Sequence, residues 1–289
     1  MKKKDGKYIF WFLAPSLAVF LIFQFIPMIW SFIISFTDWN VRTLPKWVGL
    51  GNYIEMFSDK NFYEAVIHTF QFIIMYIPLV LIGGMMMAML VNLKIKGIGF
   101  FRSFYFIPVV SSWVAVSLIW KGILNPAYGY LNYFLSLFGI EGPQWLYDKN
   151  WAMVGVVMAS VWKDIGFTMV LLLGGLKNIS EEILEAAQID GAGRLKKFFK
   201  ITLPLMSPQI FFVIMISMIN SFQVFDQVMV MTNGGPAGAT TVLVEQIYRN
   251  AFSYSRMGYA CAMSWILLLI ILVFSFIQNR AEKKLVFYS

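Results

Sequence analysis

Long apolar stretches are the feature that most constrains this chain. Six stretches reach the roughly 20 mostly apolar residues that a helix needs to cross a bilayer, at residues 9–36, 67–93, 104–124, 151–175, 209–231 and 258–278. Hydrophobic residues make up 59% of the 289-residue chain and charged residues only 13%. Soluble domains carry roughly 45–50% apolar and about 25% charged residues. The sequence therefore predicts an all-α membrane protein with six transmembrane helices.

Basic residues are distributed unevenly among the connections between these stretches. The tail before the first stretch carries Lys2, Lys3, Lys4 and Lys7, and segments on its predicted side exceed the opposite ones in Lys and Arg by roughly two to one. Because cytoplasmic connections are enriched in these residues, we predict that both termini are cytoplasmic. The same distribution accounts for the formal net charge of +8, so this charge does not indicate a nucleic-acid-binding surface.

Cysteine and histidine are too scarce for most catalytic and metal sites. The chain contains one cysteine, Cys261, and one histidine, His68. One cysteine excludes an intramolecular disulfide and a CxxC site, and one histidine excludes the usual zinc and catalytic-triad arrangements. No cluster of His, Asp or Glu has the spacing of metal ligands or of an acid–base pair. We therefore predict that the chain is not an enzyme and itself binds no metal or cofactor.

The connection between the fourth and fifth stretches, residues 180–204, has the pattern of two short helices joined by a glycine turn. Ser180 is a suitable N-cap, and two glutamates follow it in the first helical turn. The glycines within residues 190–193 predict the end of the first helix, and Pro204 and Pro208 predict the end of the second. Taken alone, this pattern is also compatible with an amphipathic linker that lies on lipid headgroups.

The residues of this loop resemble a known family pattern. Glu185-Ala186-Ala187 is followed after three residues by Gly191, and after nine more by Ile201-Thr202-Leu203-Pro204. This order and spacing match the EAA loop of binding-protein-dependent ABC importer permeases. Within that family, the chain is similar to the carbohydrate permeases of the maltose and glycerol-phosphate type. Further stretches agree with the resemblance, namely residues 49–53, 106–108 and 225–236.

The resemblance implies a type I ABC importer permease fold, also called MetI-like, with both termini in the cytoplasm. It implies an N-terminal tail, first transmembrane helix and outer loop at residues 1–66, a five-helix ABC transmembrane type-1 domain at residues 67–279, and a cytoplasmic tail at residues 280–289. The loop at residues 180–204 would enter a cleft of a cytoplasmic ATPase subunit and couple it to the membrane helices. The residues implied for this contact are Glu185, Ala186, Ala187, Asp190, Gly191, Ile201, Leu203 and Pro204.

The resemblance also implies several partners. The sequence contains no G-x-x-x-x-G-K-[ST] phosphate loop, so ATP and Mg²⁺ would be used by two separate ATPase subunits. A second, homologous permease and an extracellular solute-binding protein would complete the importer in a bacterial cytoplasmic membrane. The solute implied is a sugar, with an oligosaccharide favoured and a monosaccharide or glycerol phosphate left open.

Polar side chains in the fourth and fifth stretches are candidates for a solute pathway. Charges at membrane depth cost roughly 2.5–3.5 kcal/mol each on insertion scales and usually line a cavity. Lys163 and Asp226 either form an ion pair between helices or contact the solute, and the small polar residues either line the pathway or bond helices together. The family's sugar sites combine an aromatic platform with hydrogen-bonding side chains, which implies Trp162 and Phe167 as the platform. The candidate pathway consists of Trp162, Lys163, Asp164, Phe167, Ser217, Asn220, Ser221, Gln223 and Asp226.

An ion-coupled secondary transporter is the alternative function. It would use Lys163, Asp164 and Asp226 to couple ion and solute movement, which explains why charges lie in apolar stretches. It gives no purpose to the pattern of residues 180–204, and the six stretches show no obvious inverted repeat.

Overall fold

The computed structural model describes residues 5–93 and 97–286, with side chains for residues 10–93, 97–283 and 286. Lys2, Lys3 and Lys4, on which the predicted orientation partly rests, lie outside the described residues. Within the described part the chain is mostly helical, as the apolar stretches predict.

The described elements follow one another along the chain with short connections. In chain order the α-helices are α1 (Asp5–Phe20), α2 (Ile26–Ile34), α3 (Gly51–Met56), α4 (Lys60–Val91), α5 (Ile98–Val110), α6 (Trp113–Ile123), α7 (Tyr130–Ser136), α8 (Ala152–Lys177), α9 (Glu181–Ile189), α10 (Arg194–Lys197), α11 (Leu203–Leu205), α12 (Ser207–Phe222), α13 (Asp226–Met231), α14 (Leu243–Tyr248) and α15 (Met257–Leu285). Two short antiparallel strands, β1 (Thr37–Asp38) and β2 (Lys46–Trp47), form a hairpin that the sequence did not predict. Tighter or wider helical turns occupy Leu21–Phe25, Trp145–Tyr147, Phe198–Thr202 and Arg249–Ser253.

Four helical segments are each long and apolar enough to cross a membrane without a sharp bend. They are Phe10–Ile34, Lys60–Val91, Ala152–Lys177 and Met257–Lys283. Each contains most of one of the predicted stretches, and α15 continues well past the predicted end of its stretch at residue 278. The first segment includes the π-helical turn at Leu21–Phe25, just before Pro27 near the start of α2. Such a turn relieves the clash between a proline ring and the preceding carbonyls, so the helix continues.

The third predicted stretch is a bent pair of helices, and the fifth predicted stretch begins just after the bend of a second pair. Helices α5 and α6 meet at 102°, and the segment Arg194–Leu205 meets α12 at 66°. The count of six crossings holds if each bent pair is one span. The first bend lies at Ser111 and Ser112, which are both extended and directly follow a turn containing Pro108. Proline removes a helical hydrogen bond at this point and so favours the break.

The predicted continuous helix at residues 209–231 is wrong. Helix α12 ends at Phe222, and Asp226 is the first residue of the separate helix α13. Phe225, between the two helices, has φ −148° and ψ −62°, which no helix accommodates. An apolar composition cannot reveal this break, because hydropathy averages over residues and contains no information on backbone direction.

The chain divides into two compact units, of which the first contains the described residues up to Phe62 together with Gln246–Leu268. Asn52 is buried there and donates from its side-chain amide to the carbonyl oxygens of Ser35 and Thr37, at 2.8 and 2.9 Å. Buried Tyr259 donates to Asp59 at 2.8 Å. These bonds attach α3 and the start of α4 to the hairpin and to α15.

The second unit contains Tyr63–Glu245 and the described residues from Leu269 onward, and α8 is its most buried helix. Small residues allow neighbouring helices to approach closely, as is common in membrane proteins. A Cβ atom at Gly166 of α8 would overlap the carbonyl oxygen of Tyr105 in α5, and one at Gly84 of α4 would overlap the side chain of Thr168. Helix α5 therefore packs its backbone against Gly166 of α8, and α4 packs its backbone at Gly84 against the Thr168 side chain.

Candidate functional site

The predicted coupling loop begins with a capped helix. The Ser180 hydroxyl oxygen accepts the backbone N–H of Glu182 at 3.2 Å, as an N-cap does, and two glutamates lie in the first turn of α9. The start of this helix, which the sequence predicted from Ser180, is confirmed in the structure. Its position is set by local sequence and needs no contact from another part of the chain.

Gly191 ends α9 in the left-handed conformation, with φ at +76°. The N–H groups of Gly191 and Ala192 donate to the carbonyl oxygens of Gln188 and Ala187, at 3.1 and 3.0 Å. This pair of bonds is the Schellman arrangement, which satisfies carbonyl groups at a helix end. A Cβ at position 191 would meet no atom within 4 Å, so the glycine is required by backbone conformation and not by space.

The eight predicted coupling residues fall into two groups. Glu185, Ala186, Asp190 and Gly191 are exposed at the tip of the loop. Ala187 is buried, and Ile201, Leu203 and Pro204 are half-buried at the base. Leu203 packs with Leu184 and Phe198 against a cluster that includes Met85, Leu172 and Met206. The loop therefore presents a free tip on a base that is fixed to the membrane helices.

The exposed tip also carries large apolar side chains. Ile189 and Leu195 are 87% and 75% exposed, on either side of the Gly191 turn. Ile189 lies four residues after Glu185, so the two side chains share one face of α9.

The second loop helix ends between Pro204 and Pro208, the two prolines that predicted its end. The chain passes through a π-helical turn at Phe198–Thr202 into α11, which contains Pro204, and the bend follows at Met206. In that turn the N–H of Leu203 bonds to the carbonyl of Phe198, five residues back. The wider turn leaves room for the ring of Pro204, so the helix continues through this proline and breaks at Met206, before Pro208.

A cavity of about 280 Å³ lies in the second unit and contains most of the predicted polar residues. Five of the nine predicted pathway residues line it, namely Asp164, Asn220, Ser221, Gln223 and Asp226. Its remaining wall is formed by Phe72, Tyr76, Trp113, Ser160, Val224, Phe225 and Gln227. The cavity thus combines aromatic rings, two carboxylates and several neutral hydrogen-bonding side chains.

Two aromatic rings of the wall, Phe72 and Tyr76, come from α4, which the sequence did not indicate. Phe72 and Tyr76 stack with their ring centroids 5.3 Å apart and their planes 11° from parallel. The Tyr76 hydroxyl donates to the Asp164 carboxylate at 2.7 Å. A phenolic hydroxyl in the middle of an apolar stretch was the available signal, because such a group needs a hydrogen-bond partner within the protein.

The ion pair between Lys163 and Asp226, one of the two alternatives that the sequence left open, is not formed. Lys163 is buried, its Nζ donates to the carbonyl oxygen of Val109 at 3.0 Å, and it lies 4.7 Å from the centre of the Trp113 ring. Its side chain therefore points toward the α5–α6 bend and does not line the cavity. Asp226 is exposed and lines the cavity, where it forms no ion pair with another described residue.

Trp162, Phe167 and Ser217 also lie outside the cavity wall. Trp162 is two positions from Asp164, on the opposite face of α8, and packs edge-on with Trp120 at 6.0 Å. Phe167 lies one turn further along α8 and is 38% exposed. Ser217 is buried, and its carbonyl oxygen accepts the Ser221 hydroxyl at 2.6 Å. The rings that border the cavity are therefore not those that the sequence suggested.

Known proteins resemble this chain over nearly its whole length. The family described as "Binding-protein-dependent transport system inner membrane component" matches residues 47–286. The probable ABC transporter permease protein YesP of Bacillus subtilis is 34% identical, covering 99% of this chain and 94% of YesP. The lactose transport system permease protein LacF of Rhizobium radiobacter is also 34% identical, covering 94% of this chain and 93% of LacF.

The fold is that of a solved importer. A crystal structure of a bacterial alginate ABC transporter, in complex with alginate pentasaccharide-bound periplasmic protein, contains a chain that superposes with a TM-score of 0.84 at 23% identity. The match covers 97% of this chain and 96% of that one. The predicted type I permease fold is thereby confirmed, and the alternative of an ion-coupled secondary transporter finds no support among these relatives.

The family match and the identities above 30% over nearly the full length establish the relationship. This chain is a multi-pass membrane protein that belongs to the family of binding-protein-dependent transport system inner membrane components, the permease subunits of ABC importers, and it is not an enzyme.

Proposed function

We propose that this chain is one of two permease subunits of an importer that moves a sugar across the cytoplasmic membrane. The tip formed by Glu185, Ala186, Asp190 and Gly191, which we name the coupling tip, binds a separate ATPase subunit. The observation that carries the proposal is the contrast between this exposed tip and its fixed base.

The coupling tip has the chemistry of a docking element. Glu185 accepts charge-assisted hydrogen bonds from a basic residue of the ATPase, and such bonds are about twice as strong as neutral ones. Ala186 permits close approach because its side chain is a single methyl group, and Gly191 sets the direction of the turn. The apolar surface of Ile189 and Leu195 becomes buried when the ATPase binds.

Movement of the loop reaches the cavity through two helices. Helix α8 leads directly into the loop and carries Ser160 and Asp164, while α12 follows the loop and carries Asn220 and Ser221. Along each helix, the cavity residues lie about 20 Å from the loop, at a rise of 1.5 Å per residue. Closure of the ATPase subunits therefore shifts two walls of the cavity together, which is what alternating access requires.

A sugar is the solute that the cavity chemistry favours. Stacked rings accept the apolar C–H faces of a sugar, as Phe72 and Tyr76 are placed to do, and amide side chains such as Asn220 and Gln223 bond its hydroxyl groups. The names of similar proteins agree, since one relative is a lactose permease and the superposed chain comes from an alginate transporter. Within this class we expect an oligosaccharide.

The remaining subunits follow from the same proposal. The working importer contains a second, homologous permease, two ATPase subunits that use ATP and Mg²⁺, and an extracellular solute-binding protein. This chain supplies no phosphate-binding loop, so ATP hydrolysis belongs to the ATPase subunits. The complex of the alginate transporter with its periplasmic protein supports the last of these partners.

Reconstitution of the complete importer tests the proposal. Purified transporter is placed in liposomes that contain ATP, and uptake of labelled sugars is measured in the presence of the binding protein. We expect ATP-dependent uptake of a sugar, and we expect Glu185→Lys to reduce it by about tenfold or more, because a charge-assisted bond is replaced by repulsion.

Glu141→Lys is the matched control. Glu141 is also an exposed carboxylate of this chain, and it lies in the connection between α7 and α8, far in sequence from the loop. The control should keep the ATPase subunits bound. Undiminished uptake in Glu185→Lys would contradict the coupling role, and uptake of no sugar in the wild type would contradict the proposed solute class.

A further inference from the structure

The charges that border the cavity all have the same sign. Asp164 and Asp226 line it, and none of the described lining residues is Lys, Arg or His. The neighbouring basic residue, Lys163, is bonded to the carbonyl of Val109 and lies against the Trp113 ring, outside the cavity. A solute in this cavity therefore meets two carboxylates on this subunit and no basic side chain in the described lining, while Lys163 stands behind the Trp113 ring.

The two carboxylates differ in their burial and in the hydrogen bonds that they already accept. Asp164 is half-buried, accepts the Tyr76 hydroxyl, and is next to Lys163 in sequence. Asp226 is exposed, begins α13, and accepts no hydrogen bond from another described side chain. The charge available to a solute is thus mainly that of Asp226.

We propose that this cavity admits uncharged sugars and rejects acidic ones, and that Asp226 sets the discrimination. A carboxylate only accepts hydrogen bonds, so it pairs well with a sugar hydroxyl and poorly with the carboxylate of a uronic acid. An acidic sugar would add like-charge repulsion beside Asp226. This inference rests on the proposed function and names the substrate class of the same site.

The neutral side chains around Asp226 agree with this assignment. Asn220 and Gln223 are exposed and line the cavity, and their amides both donate and accept hydrogen bonds. Such groups suit hydroxyls, which also do both. A site for acidic sugars would be expected to place arginine or lysine here, because those side chains match a carboxylate in charge and geometry.

The experiment measures binding of matched sugars to the purified importer without its binding protein, so that the selectivity of the permease is observed directly. The pairs are galactotriose with trigalacturonate, and maltotriose with its C6-oxidised form. We expect the wild type to bind the neutral member of a pair at least about tenfold more tightly, since like charges in an interface cost several times RT. In Asp226→Asn the ratio should fall to about threefold or less, while in Asp226→Glu it should persist.

Glu141→Gln is the control for removing one negative charge elsewhere on the chain, and it should leave the ratio unchanged. Equal affinity for neutral and acidic sugars in the wild type would overturn the inference, and so would a ratio that Asp226→Asn does not alter. Binding of none of these sugars would overturn the proposed sugar function as well, whereas preference for the acidic member would overturn the charge inference alone.

Discussion

The coupling tip and the cavity are joined by the same two helices, α8 and α12, and the sequence specifies them in different ways. The tip is built from local signals, because Ser180 caps α9 and Gly191 ends it within 11 positions of one another. The cavity is assembled from α4, α6, α8 and α12–α13, which are far apart in the chain. The tip therefore depends on backbone conformation at single residues, whereas the cavity depends on how closely its helices approach one another.

The largest effect is expected from a larger side chain at the close contact between α5 and α8. Gly166→Val places a side chain where the carbonyl oxygen of Tyr105 lies, and a backbone atom cannot move aside easily. Overpacking of this kind costs about 3 kcal/mol. We expect the purified importer to show a clearly lower unfolding temperature and yield. Gly174→Val on the same helix meets no atom within 4 Å and should be tolerated, so equal losses in both variants would contradict the close packing.

A smaller effect, confined to coupling, is expected at the tip. The Cβ atom that Gly191→Ala adds meets no other atom, but it forces alanine into the left-handed backbone conformation, which costs about 1–2 kcal/mol. Uptake should therefore fall about fivefold or more. Gly193→Ala is the matched control, because Gly193 has φ −62° and equal room for a Cβ. Transport assays on both variants, with unfolding temperatures unchanged, would separate coupling from folding. Equal uptake in the two variants would mean that the turn is not required.

The smallest effect is expected from one hydrogen bond in the cavity. Tyr76→Phe removes the donor to Asp164 and retains the ring that stacks on Phe72. A hydrogen bond of this kind contributes about 1 kcal/mol net, so the KM for uptake should rise about fivefold. Tyr105→Phe serves as the comparison, since Tyr105 lies in the same unit but does not line the cavity. An unchanged KM in Tyr76→Phe would show that this wall is not part of the solute site.

Much of the loop could be predicted from the sequence because its signals are local. Ser180 and Gly191 determine the ends of α9 through hydrogen bonds to their own neighbours, and the structure has both where the pattern predicted them. The fourth stretch, residues 151–175, likewise agrees with α8 at Ala152–Lys177 within two residues, since length and apolar composition suffice for a straight helix.

The bends and the aromatic wall could not be predicted in this way. Hydropathy carries no information on the direction of the backbone, so the sequence around the break between α12 and α13 was predicted to be one continuous helix. Pro108, followed by Ser111 and Ser112, was a signal for the first bend, although this pattern does not distinguish a sharp bend from an ordinary proline kink. Phe72 and Tyr76 reach Asp164 only through tertiary packing, and their aromatic side chains look no different from others in apolar stretches.

The residues of the cavity that were predicted share one property. Asn220, Gln223 and Asp226 are polar at positions where lipid would be expected, and that contrast is visible without a structure. Trp162 and Phe167 lacked such a contrast, because an aromatic residue in a membrane helix suits lipid, another helix or a solute equally well. Polar residues at membrane depth are therefore the more reliable indicators of a pathway.

Photo-cross-linking from the coupling tip identifies the molecule that the tip contacts. In a Cys261→Ser background, Ala186→Cys is labelled with a photoreactive maleimide in the assembled importer, and the products are identified by mass spectrometry. Residue 186 is exposed at the tip, whereas the neighbouring Ala187 is buried and provides the matched control. We predict a product between residue 186 and the ATPase subunit, with little product from residue 187. Products with lipid alone, in a complex that still contains the ATPase, would show instead that the loop is an amphipathic linker on the membrane surface.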